Sequence, residues 1–130
     1  MDDISVLRGG IHMQNFDARE SKAAIFNIDE LTLYNTAKEK KFWEGENLSL
    51  NIMSIPIGNK IKETSCAKVD RFLRIENGIA EIYLGKDEEN LQLAAKVNGH
   101  YAAMIPKGEW FGIVNSGLTP LKIYFVQCNN

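Results

Sequence analysis

From about Lys41 to the C-terminus, apolar and polar positions alternate with a period of two, in short runs broken by Gly, Pro and Asn. That period belongs to β-strands with one face buried. Leu48, Leu50, Ile52 and Ser54 share one parity, and Ser49, Asn51, Met53 and Ile55 the other. Both faces are partly apolar, as expected of a strand held between two packed layers. Over 71–76, Leu73 and Ile75 point one way, and Phe72, Arg74 and Glu76 the other. Asn77-Gly78 suits a type I′ hairpin, since both residues tolerate positive φ. Ala80, Ile82 and Leu84 alternate with Glu81 and Tyr83, followed by a polar, acidic loop over 85–90. Further strands fall over 91–97, 102–105, 111–115 and 121–127, separated by Asn98-Gly99, Pro106 to Gly108, and Ser116-Gly117. Many short, evenly spaced strands predict an all-β sandwich or closed barrel. Upstream, 23–28 predicts a first strand and 29–33 one helical turn, capped by Asn27 or Asp29. Residues 1–22 show no clean period and carry Gly9-Gly10, which predicts an N-terminal arm before a barrel domain over 23–130.

Composition narrows the function classes. The 130 residues suffice for one domain with a single core. With a net charge of -2, the chain has no basic face to attract nucleic acid or an anionic membrane. No apolar run is long enough for a membrane-spanning helix, and the acidic start MDDISVLRGG is unlike a secretory signal. Cys66 and Cys128 are then expected to be free thiols, and the protein cytoplasmic.

Two stretches carry a more specific signal: PIGNKIKETSCAKVDRFLRIENG from Pro56 to Gly78, and MIPKGEWFGIVNSG from Met104 to Gly117. Through Gly58, Asp70, Phe72, Arg74, Ile75, Glu76 and Gly78, and then Ile105, Pro106, Gly108, Trp110, Asn115 and Gly117, the chain resembles the cupin superfamily. It is similar to small single-domain cupins of the mannose-6-phosphate isomerase-like, conserved-barrel group. These share a Met-Ser-Ile-Pro strand end (Met53 to Pro56 here) and a Pro-Leu-Lys strand start (Pro120 to Lys122). The resemblance covers roughly 47–126. It implies a double-stranded β-helix, or jelly-roll barrel, with a metal site inside. At the positions where that group carries its Glu, His and Gln ligands, this chain has Thr64, Cys66, Arg71 and Phe111. His100 stands where the second motif usually has glycine.

By that resemblance the four side chains converge inside the barrel. A hydroxyl, a thiol, a guanidinium and a phenyl ring make a poor metal site, because Arg is a fixed cation and Phe has no donor. They could instead form a pocket for a small polar or anionic ligand, with Arg71 as a fork for carboxylate or phosphate. The competing reading has Arg71 bent to the barrel mouth beside a surface carboxylate, with Phe111 filling the cavity. Cys66 reads as a small core residue; beside Arg71 its thiolate would be stabilised and could act as a nucleophile or redox sensor. His12 and His100 both fall outside the expected pocket. The expectation is a cupin without metal or other cofactor, binding a small anionic molecule and having no catalytic residue. The alternative is a metal-dependent enzyme, sugar-phosphate isomerase-like or dioxygenase-like. A third class is a regulatory protein presenting its outer sheet or acidic loop to a partner. An outward-facing Phe72 predicts a cover, for which a homodimer is the expectation.

Overall fold

The alternation along the chain becomes two facing antiparallel sheets. The computed structural model describes residues 4–6, 22–62 and 68–128. Its elements are β1 (Ile4–Val6), β2 (Ala23–Ile25), α1 (Ile28–Tyr34), β3 (Glu39–Glu44), β4 (Leu48–Ile55), β5 (Lys60–Lys62), β6 (Arg71–Asn77), β7 (Ala80–Gly85), β8 (Gln92–Val97), β9 (Ala102–Ile105), β10 (Trp110–Asn115) and β11 (Leu121–Cys128). One sheet runs β3-β4-β11-β6-β9 and the other β5-β10-β7-β8; β1 and β2 form a small parallel pair. No helix of the described residues is long and apolar enough to cross a membrane.

The main core lies between the sheets. Ile55, Leu73, Ile75, Ile113, Leu121 and Ile123 are fully buried there, all on the inward parity of their strands. Asn115 is buried among them, and its side chain is fully engaged. Nδ2 donates to the carbonyls of Ile55 and Thr119 (both 2.9 Å), and Oδ1 accepts from Gly117 N (3.0 Å). The turn over 115–119 is thereby tied to the end of β4.

The opposite face of the larger sheet has its own cover. Leu31 of α1 packs with Phe42, Leu50, Ile52 and Tyr124, flanked by Phe26, Ile28 and Phe72. Phe72 lies 6.1 Å from Tyr124 ring to ring. Residues of the chain's own N-terminal half therefore pack on the face that carries Phe72, which stays half-buried. This cover also explains why β4 is buried on both parities. The helix is longer than the expected single turn, and the strand before it shorter. Asn27 serves as N-cap, its side chain accepting from Glu30 N at 3.0 Å.

At Asn77-Gly78 the structure departs from the sequence expectation. β6 and β7 are not partners but belong to different sheets. Only Gly78 has positive φ, at 110°, so the turn is not type I′. A Cβ on Gly78 would meet Leu121 Cα at 3.1 Å, so the chain crosses between sheets hard against the start of β11. At the β8–β9 crossing, His100 takes the left-handed conformation expected there, with φ 76°.

Candidate functional site

A cavity of about 370 Å³ opens at one end of the barrel. Its inner walls are Met53 (β4), Ile61 (β5), Phe111 (β10) and Phe125 (β11). Phe111 and Phe125 lie 5.6 Å apart, inclined at 53°. Met53, Phe111 and Phe125 also belong to the core between the sheets, with Ile61 packed against it, so the floor of the cavity is apolar. Polar groups line the rest: Glu39, Lys41, Asn51, Lys62, Arg71 and Gln127.

Strand registry explains the gathering. Arg71 pairs with Gln127, Phe125 with Asn51, and Asn51 with Lys41. Residues opposite one another in a ladder share a face, so four adjacent strands contribute side chains to one face on two neighbouring rungs, Arg71 and Gln127 on one and Phe125, Asn51 and Lys41 on the other. Asn51 is buried, while Lys41, Lys62 and Glu39 are exposed at the rim.

Arg71 is the best-held of these groups. It is only 4% exposed. Its guanidinium carbon sits 5.3 Å from the centre of the Phe111 ring, a cation–π contact. Nη2 donates to the carbonyls of Glu109 (2.5 Å) and Pro106 (3.4 Å). Next to it, the Asp70 carboxylate accepts from Lys107 N at 2.8 Å. Asp70 and Arg71 therefore clamp the 106–109 turn to the start of β6. Arg71 is held by these two carbonyls and the Phe111 ring. It is a buried structural cation whose charge borders the cavity.

Of the four residues singled out from sequence, Arg71 and Phe111 do meet. Thr64 and Cys66 lie outside the described residues. Cys128 is a free, exposed thiol. Sequence reasoning missed Glu39, Lys41, Asn51, Lys62 and Gln127. Asn51 had a signal, being polar on the inward parity between Ser49 and Met53; the lysines had none. Among the described residues, no group of three or more His, Cys, Asp or Glu side chains is placed to hold a metal ion.

A second charged cluster lies away from the cavity, beneath α1. The Glu76 side chain is 2% exposed, and Arg74 Nε approaches its Oε1 at 2.8 Å. Arg74 Nη2 lies 3.2 Å from His100 Nδ1. Burial and a hydrogen bond with the Asp29 carboxyl push the Glu76 pKa up, outweighing the opposing pull of Arg74 and His100.

No protein-family model matches the chain. The crystal structure of BH2720 from Bacillus halodurans superposes with a TM-score of 0.82 at 30% identity, over 88% of this chain and 87% of that one. The chain belongs to the family of BH2720, and its fold is the cupin double-stranded β-helix. An RmlC-like cupin family protein from Methanocaldococcus jannaschii, 19% identical with a TM-score of 0.57 over 72% of this chain and 84% of that one, shares that fold. The uncharacterized protein YrkC of Bacillus subtilis (strain 168) is 33% identical over 105 residues. Those residues are 81% of this chain, which spans little more than half of YrkC, 56% of its length.

Proposed function

We propose that this cupin binds a small anionic molecule in the barrel cavity and does so without a metal ion. The observation that carries the reading is the balance of charge that the described residues set around the cavity: Lys41, Lys62 and Arg71 against the Glu39 carboxylate, over an apolar floor. A site of roughly 300–1,000 Å³ with few convergent polar groups is typical for a small metabolite. Asn51 and Gln127 would add amide hydrogen bonds that fix a carboxylate or phosphate ester.

The donor set does not suit the divalent metal that the fold family commonly carries. Arg71 brings a permanent positive charge to the cavity, and Phe111 brings no lone pair. By the resemblance, Thr64 and Cys66 stand where that group carries Glu and His. No metal-dependent step is derived for this chain.

The test is a thermal-shift screen of the purified protein against small carboxylates and sugar phosphates, each also run with Lys41→Glu. A ligand that binds only the folded state raises the melting temperature. At least one anion should stabilise the wild type, and the charge reversal should remove most of that shift. No shift with any anion in the panel overturns the ligand assignment. A stoichiometric divalent metal that survives chelation overturns the metal-free assignment.

A further inference from the structure

A second concavity, of about 360 Å³, lies on the outside of the barrel, on the solvent face of the β5-β10-β7-β8 sheet. Its floor follows from registry. Gly112 pairs with Lys62 on one side and Tyr83 on the other, and Val114 pairs with Lys60 and Glu81. With no side chain at Gly112, the centre of the sheet is left low. Lys60 and Lys62 stand along one border.

The other border is the 85–91 loop, and it is held rigidly. The carboxylate of Asp87 accepts from Glu89 N at 3.0 Å and from Asn90 Nδ2 at 2.8 and 2.9 Å. Lys86 pairs with Glu109 at 2.9 Å. At Gly85 a Cβ would meet Asn90 O at 2.5 Å, so the loop can fold back onto its own strand only because that residue is glycine. Leu91 is carried over the sheet, within 3.4 Å of where a Cβ on Gly112 would sit. Glu88 and Glu89 are thereby presented along the wall of the groove. Among the described residues, Lys60, Lys62, Glu88 and Glu89 form no ion pairs with one another. The groove keeps its two charged walls apart.

We infer that this outer groove is a binding site for a short peptide with free termini. The α-carboxylate would lie toward Lys60 and Lys62, the ammonium toward Glu88 and Glu89, and an apolar central side chain on Tyr83, Leu91 and Val114. The length follows from geometry. β5 and β7 flank β10, so at ~4.8 Å per strand the floor from the lysine border to Tyr83 is about 10 Å wide. An extended chain of three residues spans about 10 Å and reaches the loop that follows β7. A single amino acid is too short to cross that floor, and an anion alone leaves the acidic border unmatched. Ile61 and Lys62 border the barrel cavity as well; the test therefore uses Lys60.

The experiment is calorimetric titration of the full chain with alanyl-leucyl-alanine, alongside amide chemical-shift mapping. Saturable binding is expected, with shifts at Tyr83, Gly112 and Val114 rather than at Asn51 and Gln127. Lys60→Glu should weaken it at least tenfold, as should the Glu88→Lys, Glu89→Lys pair. Acetylating the N-terminus or amidating the C-terminus of the tripeptide should each do the same. Gly112→Val, which fills the floor without changing charge, should abolish binding while the barrel resonances keep their positions. Absence of binding at millimolar tripeptide overturns the inference. So do shifts confined to the barrel cavity, affinity indifferent to charge reversal, or dimers that Lys60→Glu dissociates, which would assign the groove to a second copy. Failure here leaves the anion screen of the barrel unaffected, because that screen is read through Lys41.

Discussion

Arg71 shows how one side chain can serve the fold and border the site. Its Nη2 donates to carbonyls of the 106–109 turn, and the guanidinium lies over Phe111. Lysine in its place would keep the charge but lose the fork and the stacking. Hydrogen bonds to a charged group contribute about 1.5–3 kcal/mol, so Arg71→Lys is expected to lose about 2 kcal/mol in urea denaturation. Asn115 is a sharper case, since its truncation strands the buried Ile55 carbonyl and Gly117 amide and frees the part-buried Thr119 carbonyl. Asn115→Ala should lose about 3 kcal/mol or more, the sum of unsatisfied groups at about 1–3 kcal/mol each. His100 holds φ 76°, a conformation that β-branched residues avoid. His100→Val should therefore cost about 1–2 kcal/mol, and His100→Gly should not, by the same denaturation measurement.

Among elements, α1 is the informative one. It is seven residues long, too short to persist alone, and is held by what it touches. Asn27 caps one end, and Lys122 Nζ donates to Asn35 O at the other, at 2.5 Å. Asn27→Ala should cost about 1 kcal/mol. Between the two ends, Asp29 meets the buried Glu76 with Arg74, His100 and Tyr124 around them. Glu76 has a folded pKa above its unfolded value, so it favours folding when protonated. That contribution is complete below the unfolded pKa and is lost as pH rises through the folded one. An ionised Glu76 is then buried beside the Asp29 side chain at the helix–sheet contact. The melting temperature should fall over that pH interval in the wild type, and Glu76→Gln, which stays neutral, should flatten the profile.

At the scale of the whole molecule, the jelly roll separates its two concave surfaces. The barrel cavity is enclosed by inward side chains from both sheets, and the outer groove by outward ones. Successive residues of β10 divide between them, Phe111 lining the first and Gly112 the second, while Ile61 and Lys62 of β5 border both. A one-residue slip of β10 would exchange the two linings. The Asn115 network and the Arg71 clamp hold that register at the two ends of the strand. An insertion of one residue within β10 should abolish anion-dependent thermal shifts and tripeptide binding together, whereas Lys41→Glu and Lys60→Glu should each affect only one.

The sequence by itself determined the strands, their inward faces and the cupin fold. Alternation with period two and Gly, Pro and Asn breaks are local signals, and Leu73, Ile75 and His100 behave as their positions in the pattern require. It also brought out Arg71 and Phe111 as neighbours, through the two motifs. Tertiary structure alone decided the rest. Asn77-Gly78 has the local chemistry of a hairpin, but the chain changes sheets there because its strands find partners elsewhere. Phe72 looks like an uncovered face until α1, some forty residues upstream, folds over it. Lys41, Lys62 and Gln127 have no local mark of a site. They become one because closing the sheets brings distant strands around one cavity, and which distant strands pair is not written in any single stretch of the chain.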